Sequence, residues 1–288
     1  MLICILGMGW GSAFFFNEIL LREIGPLSVS LTRVGLAALT GWVYVVLTGQ
    51  NVRFSMAELP ALVVFGLLMF ALPLAIFPLG QQYVASGVAG IVNALTPVMT
   101  VVISHLWPGG ERATPLKLVG VGFGFAGIVF LTIPALGSSA DNTLFGTLIM
   151  LIGPLSYACA LNIARGLSKM SMSVATTWAF TFGALALAPL VLVVEGVPQT
   201  VTWPTWVSGF IVGVILTGIA FIAVFEIMRR AGPTKTSTVT FIAPISALLL
   251  GWAILGEDLG LLHFAGMAMI FLGLLAIDGR LAKWIKLN

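Results

Sequence analysis

The sequence predicts an all-α integral membrane protein, with ten transmembrane helices arranged as two inverted five-helix repeats. Three observations carry that prediction. Of 288 residues, 59% are hydrophobic and 8% charged, whereas a soluble domain carries about 25% Asp, Glu, Lys and Arg. Thirteen basic and ten acidic side chains cannot cover a globule of 30.4 kDa, so most of the outer surface faces hydrocarbon. The apolar residues gather into ten runs close to the ~20 residues that cross a bilayer. The first half of the chain also lies over the second with similar features in register.

In chain order the runs are Leu2–Leu21, Leu27–Thr48, Ala57–Leu79, Tyr83–Trp107, Leu116–Ala135, Leu144–Gly166, Met172–Val194, Pro204–Met228, Thr234–Leu255 and Leu261–Ile277. Pro, Gly and charged residues punctuate them. The first run lacks the basic leader and small-residue cleavage site of a signal peptide and is counted as a span. No loop exceeds roughly a dozen residues, too short for a folded extramembrane domain, so any activity resides among the helices.

Charge placement orients the spans. With a cytoplasmic N-terminus, Arg53, Arg112, Lys117, Arg165, Lys169, Arg229, Arg230, Lys235, Arg280, Lys283 and Lys286 all fall inside, and only Arg22 falls outside. Asp141, Glu195, Glu257 and Asp258 occupy outer loops. This alternation predicts a multi-pass protein with both termini cytoplasmic.

Residues 1–140 and 141–288 form the two predicted repeats. At an offset of 147 Trp10 falls on Tyr157 and Pro97 on Pro244; after a one-residue gap Glu111, Gly120 and Gly127 match Glu257, Gly266 and Gly273. Five spans is an odd number, so the second repeat runs inverted through the membrane, the plan of many secondary transporters.

Three features extend over essentially the whole chain: WGSAF at Trp10–Phe14, GPLSVSLTRVGLAA around Arg33, and two copies of a mid-helix Pro, a loop Glu and two spaced glycines. The second copy opens on APISALLLGWAILGE at Ala243–Glu257. On these residues the chain resembles the EamA family of the drug/metabolite transporter superfamily. The resemblance implies an exporter in a bacterial inner membrane working by alternating access. Within the family the chain is similar to exporters of aromatic and other neutral amino acids. The alternative in the same superfamily is a proton-coupled exporter of drugs or sugar derivatives. Proton exchange for a cation calls for a carboxylate at the membrane centre, and Glu18 and Glu226, the acids within the runs, lie towards span ends, so uniport is expected.

The candidate substrate site lies at mid-bilayer between spans 4 and 9, where Pro97 and Pro244 each free a carbonyl four residues earlier, that of Asn93 and of Thr240. Asn93, Thr96 and Thr240 add polar side chains there, which also fit plain helix–helix hydrogen bonding. Trp10, Tyr157 and Trp178 lie deeper than an interfacial belt and are candidates for stacking on substrate or for ordinary packing. Arg33, inside span 2, either pairs with Glu18 or attracts a substrate carboxylate, the pair being favoured. Gln82 and Tyr83, with Gln81, start span 4 at the outer face as a candidate gate or as solvated loop residues. The rows Gly7/Gly11, Gly120/Gly124 and Gly209/Gly213 permit close helix contact.

Other classes lack their residues. Cys4 and Cys159 have no CxxC or Cys/His neighbours, so no metal or cofactor is indicated. No Ser/His pair, HExxH helix or facing aspartates assemble an intramembrane enzyme, since His105 and His263 sit near opposite faces. The basic residues orient loops rather than bind nucleic acid, and the inverted halves argue against a channel. The expected partners are a small-molecule substrate and the lipid bilayer, with no obligatory protein partner.

Overall fold

The computed structural model describes residues 2–133, 140–167, 170–198, 200–231 and 239–279. Their regular structure is helical throughout. Eight helices are long and apolar enough to cross a membrane: α1 (Leu2–Leu21), α2 (Pro26–Leu47), α3 (Leu59–Gln81), α4 (Ser86–Leu106), α5 (Pro115–Thr132), α6 (Thr143–Leu167), α7 (Met172–Val194) and α8 (Trp203–Val224). Two shorter apolar helices follow, α9 (Val239–Leu255) and α10 (Leu261–Ile277). The expected starts and ends agree to within a few residues. The beginning of the expected ninth run, the tail of the fifth, and the basic residues Lys169, Lys235, Arg280, Lys283 and Lys286 lie outside the described residues.

Large apolar side chains on the outer faces remain exposed, among them Leu39 and Leu185, each 63% accessible near the middle of its helix. In water such a surface would be untenable; in lipid it costs nothing, and helix association rests on close packing instead. The glycine rows provide that packing. Cβ atoms added at Gly7 and Gly11 would strike Ile242 and Ser246 of α9, at Gly120 the Gly273 carbonyl of α10, and at Gly213 Leu36 of α2. The helices accordingly pair across the chain, α1 with α9, α2 with α7 and α8, α3 with α7, α4 with α6 and α9, and α5 with α10.

Regular helix fails at three instructive places. Helix α4 divides into Ser86–Asn93 and Thr96–Leu106. The Leu95 amide donates to the Val92 carbonyl at 3.1 Å in a tight turn, and Pro97, second residue of the new half, cannot donate back. Pro244, expected to act likewise, sits inside a continuous stretch of α9, so the two prolines differ in effect. Helices α3 and α8 each contain a π-helical segment, Leu67–Ala71 and Ile211–Ile219. Such widened turns expose backbone carbonyls that a regular helix would use internally. Both are used by side chains from elsewhere: Trp10 Nε1 donates to the Leu216 carbonyl at 3.1 Å and Ser156 Oγ to the Leu68 carbonyl at 2.6 Å.

Candidate functional site

Between the helices lies a cavity of about 150 Å³. Its wall is largely aromatic: Trp10 and Phe14 one turn apart on α1, Phe70 and Phe77 on α3, Tyr157 on α6 and Phe221 on α8. The polar lining is Arg33 from α2, Asn93 and Thr96 at the break in α4, and Thr240 from α9, beside Pro244. Six of the eight substrate-site candidates, Trp10, Asn93, Thr96, Tyr157, Thr240 and Pro244, are thus brought together with Arg33.

Each side chain has a local reason for its place. Trp10 is fixed by its bond to Leu216 and by the Phe221 ring at 5.3 Å between centroids. Phe14 and Phe77 meet edge to face at 5.4 Å, and Phe70 packs between Phe180 and Phe221. Arg33 is buried, and its Nε donates to Thr217 Oγ1 at 2.8 Å; the Tyr157 phenol lies within electrostatic reach. The Asn93 carbonyl freed by Pro97 accepts from Thr96 Oγ1 at 2.8 Å. It is therefore occupied in this conformation.

The expected Arg33–Glu18 pair does not form. Arg33 turns towards α8 and the cavity, while Glu18 is half-buried near Glu257 and Arg22. The one salt bridge among the described residues joins Lys117 and Glu111. Trp178 is also elsewhere. Its Nε1 donates to the Val52 carbonyl at 2.9 Å, and Trp42, Phe54 and Phe182 surround its ring, so it packs α7 against the end of α2 and the following loop. Pro97 faces a second, larger cavity of about 550 Å³, which shares Thr96, Leu161 and Thr240 with the first and continues to Glu111, Lys117, Arg165 and Asp278.

At the other end of the bundle Gln82 and Tyr83 are exposed, and the Tyr83 ring rests on Phe145. The buried glutamine is the neighbouring Gln81. Its Nε2 donates to the Phe14 carbonyl at 2.8 Å and its Oε1 accepts from Asn17 Nδ2 at 3.1 Å, which packs this end shut behind the Phe14–Phe77 pair. Asn17 was visible in sequence as a polar residue three after Phe14 on the same helical face. Phe70, Phe77, Phe221 and Thr217 carried no such signal, being ordinary residues of apolar helices.

A polytopic helical bundle with a polar-and-aromatic cavity between its helices can hold a small molecule within the membrane. The EamA-like transporter family model matches residues 1–133 and 144–277, and the chain belongs to that family. It is 24% identical over 268 residues to the Bacillus subtilis protein named uncharacterized transporter YoaV, covering 92% of this chain and 91% of that one. To the Escherichia coli uncharacterized inner membrane transporter YedA it is 27% identical over 270 residues, 91% of this chain and 84% of that one. The Dickeya dadantii protein PecM is 22% identical over 272 residues, 93% and 88% respectively. One solved crystal structure shares the fold with a TM-score of 0.70 at 19% identity, covering 99% of this chain and 97% of that one.

Proposed function

We propose that the protein exports amino acids, aromatic and other neutral ones, by alternating access and without obligatory ion coupling. The observation that carries this reading is the Arg33 guanidinium, buried in an aromatic cavity with no carboxylate partner among the described residues. A buried cation without a counter-ion is costly and favours an anionic ligand. A substrate carboxylate would supply the missing charge and bond to the guanidinium, its apolar side chain would lie against Trp10, Phe14, Phe77 and Tyr157, and its ammonium would face Asn93 and the carbonyl end of the first half of α4. Thr96, Thr240 and Pro244 complete the site. Within the family we read the chain as similar to the bacterial aromatic amino-acid exporter YddG, a reading that agrees with this substrate. A cationic drug finds no carboxylate among the described residues lining the smaller, aromatic cavity, the acids Glu111 and Asp278 lying on the larger one.

The transport cycle follows from the repeat. Exchanging α1–α5 with α6–α10 turns the α1–α9 contact into α6–α4 and the α2–α8 contact into α7–α3, and leaves α2–α7 and α5–α10 unchanged. The family model also matches each half separately. Both support inverted repeats at 1–140 and 141–288 whose exchange of conformation would move access from one face to the other. In this reading the termini and the larger cavity face the cytoplasm of a bacterial inner membrane. Counterflow of labelled phenylalanine and threonine in proteoliposomes, with and without an imposed pH gradient, tests the function. Saturable exchange indifferent to the gradient is expected; absence of exchange by folded protein overturns it.

A further inference from the structure

At the end packed shut by Asn17 and Gln81, two carboxylates from the second half of the chain reach across to helix starts in the first. Glu195, at the end of α7, accepts from the Leu27 and Ser28 amides at 2.8 Å each and from Ser28 Oγ at 2.6 Å. Glu257, after α9, accepts from the Ser86 and Gly87 amides at 2.6 and 3.0 Å. The backbone N–H groups at a helix start have no partners inside the helix, so a carboxylate both satisfies them and meets the positive end of the dipole.

Local sequence builds both arrangements in the same way. Glu195 precedes Gly196 and Glu257 follows Gly256, and each glycine has a positive φ, 74° and 67°, that reverses the chain at its helix end. A second glycine makes room for each carboxylate. A Cβ on Gly25 would run into the Glu195 carboxylate, and one on Gly251 into that of Glu257. The end beyond the larger cavity is held differently. There Ser171 Oγ donates to Gln50 Oε1 at 2.6 Å in a neutral contact between α7 and α2, and Glu111, which the sequence offset sets opposite Glu257, pairs with Lys117 a few residues along its own chain.

We propose that Glu195 and Glu257 are the latches of the gate at the packed end, and that both must leave the starts of α2 and α4 before the cavity opens there. This rests on reading the cavity as a transport path. The carboxylates need two acceptor oxygens each, so a glutamine in place of either turns an –NH2 donor towards a backbone N–H donor and loses the clamp. An alanine at Gly25 or Gly251 displaces the carboxylate while leaving its chemistry intact.

The test reads access directly. Thr96→Cys, a residue lining both cavities, is introduced with Cys4→Ser and Cys159→Ser, and a membrane-impermeant maleimide is applied to each side in turn, using right-side-out and inside-out vesicles. The latched parent, with Glu195 and Glu257 in place, should label from one side only. Glu195→Gln with Glu257→Gln, and separately Gly25→Ala with Gly251→Ala, should raise labelling from the excluded side about tenfold, the scale of losing charge-assisted hydrogen bonds. Unchanged exclusion in both double variants, with labelling from the accessible side retained as the sign of folded protein, overturns the latches. Labelling does not depend on the substrate, so a failed amino-acid assay and a failed gate are told apart.

Discussion

Arg33 and Thr217 meet through a hydroxyl whose direction is fixed. Arg33 Nε donates to Thr217 Oγ1 at 2.8 Å, and that hydroxyl donates in turn to the Val212 carbonyl at 2.7 Å, five residues back in the π-helical segment of α8. The widened turn therefore aims the guanidinium. The adjacent Leu216 carbonyl accepts from Trp10 Nε1, so one irregular segment positions both a cation and an aromatic face of the cavity. Thr217→Val keeps shape and removes the acceptor, leaving a buried charged donor unmet at a cost of about 1–3 kcal/mol. A lower unfolding temperature in detergent and a raised KM for phenylalanine counterflow are expected, with Thr217→Ser restoring both.

Arg33→Gln should weaken phenylalanine transport about tenfold or more in KM, the scale of a charge-assisted hydrogen bond, and Arg33→Lys should recover part of it. Glu18→Gln should leave that KM unchanged because no ion pair joins the two residues. A matched loss in both variants would instead show that Glu18 serves the same step.

The two tryptophans expected to stack on substrate should separate experimentally. Trp10→Ala should raise the KM for aromatic substrates more than for threonine, since it removes one face of the cavity. Trp178→Ala breaks up a partly buried cluster with Trp42, Phe54 and Phe182 and should lower stability by about 2–3 kcal/mol, less than a fully buried aromatic, without shifting substrate preference. Thermal unfolding alongside counterflow of both substrates distinguishes them.

Much of this architecture was legible in the sequence because lipid imposes a simple rule: a spanning segment satisfies its own backbone and shows the bilayer apolar side chains. Run length and punctuation therefore gave the helices, and proline, asparagine and threonine within apolar runs pointed at the cavity. What sequence could not supply was rotation about each helix. Trp178 and Trp10 look alike at comparable depth, yet one faces the cavity and the other a loop carbonyl. Arg33 and Glu18 look like partners until the faces of α1 and α2 are known. The π-helical segments, made of ordinary apolar residues, left no mark at all, and neither did the reach of Glu195 and Glu257 across the halves.

At the larger cavity, the Lys117 ammonium holds the Glu111 carboxyl below its ordinary value of 4.5, chiefly through their hydrogen bond. A depressed carboxylate contributes stability that is fully present above about that ordinary value and is lost as pH falls through the lower folded one. The pair is substantially exposed, so the contribution stays under about 1 kcal/mol. Unfolding temperature followed from pH 6 to pH 3, a range of about three units around the carboxylate pKa, should fall more steeply in the parent than in Lys117→Met. Parallel curves would show that the contact adds no stability.

The α1–α9 contact sets a stricter demand. Gly11 lies against the Ser246 hydroxyl and the Ala243 carbonyl so closely that a Cβ there would overlap both, and Ser246 Oγ donates to the Met8 carbonyl at 3.2 Å across the same seam. Neither obstacle is the loose end of a flexible chain, so Gly11→Ala must push α1 away from α9, at the 1–3 kcal/mol typical of overpacking, roughly. That displacement also moves Trp10, one residue away, and with it the cavity wall. Gly35→Ala is the control, since nothing lies near its Cβ and alanine favours the helix. The expected result is a lower unfolding temperature and weakened phenylalanine counterflow for Gly11→Ala, with Gly35→Ala equal to or above the parent in both. Equal behaviour of the two variants would mean that α1 and α9 are not held at this spacing in the membrane.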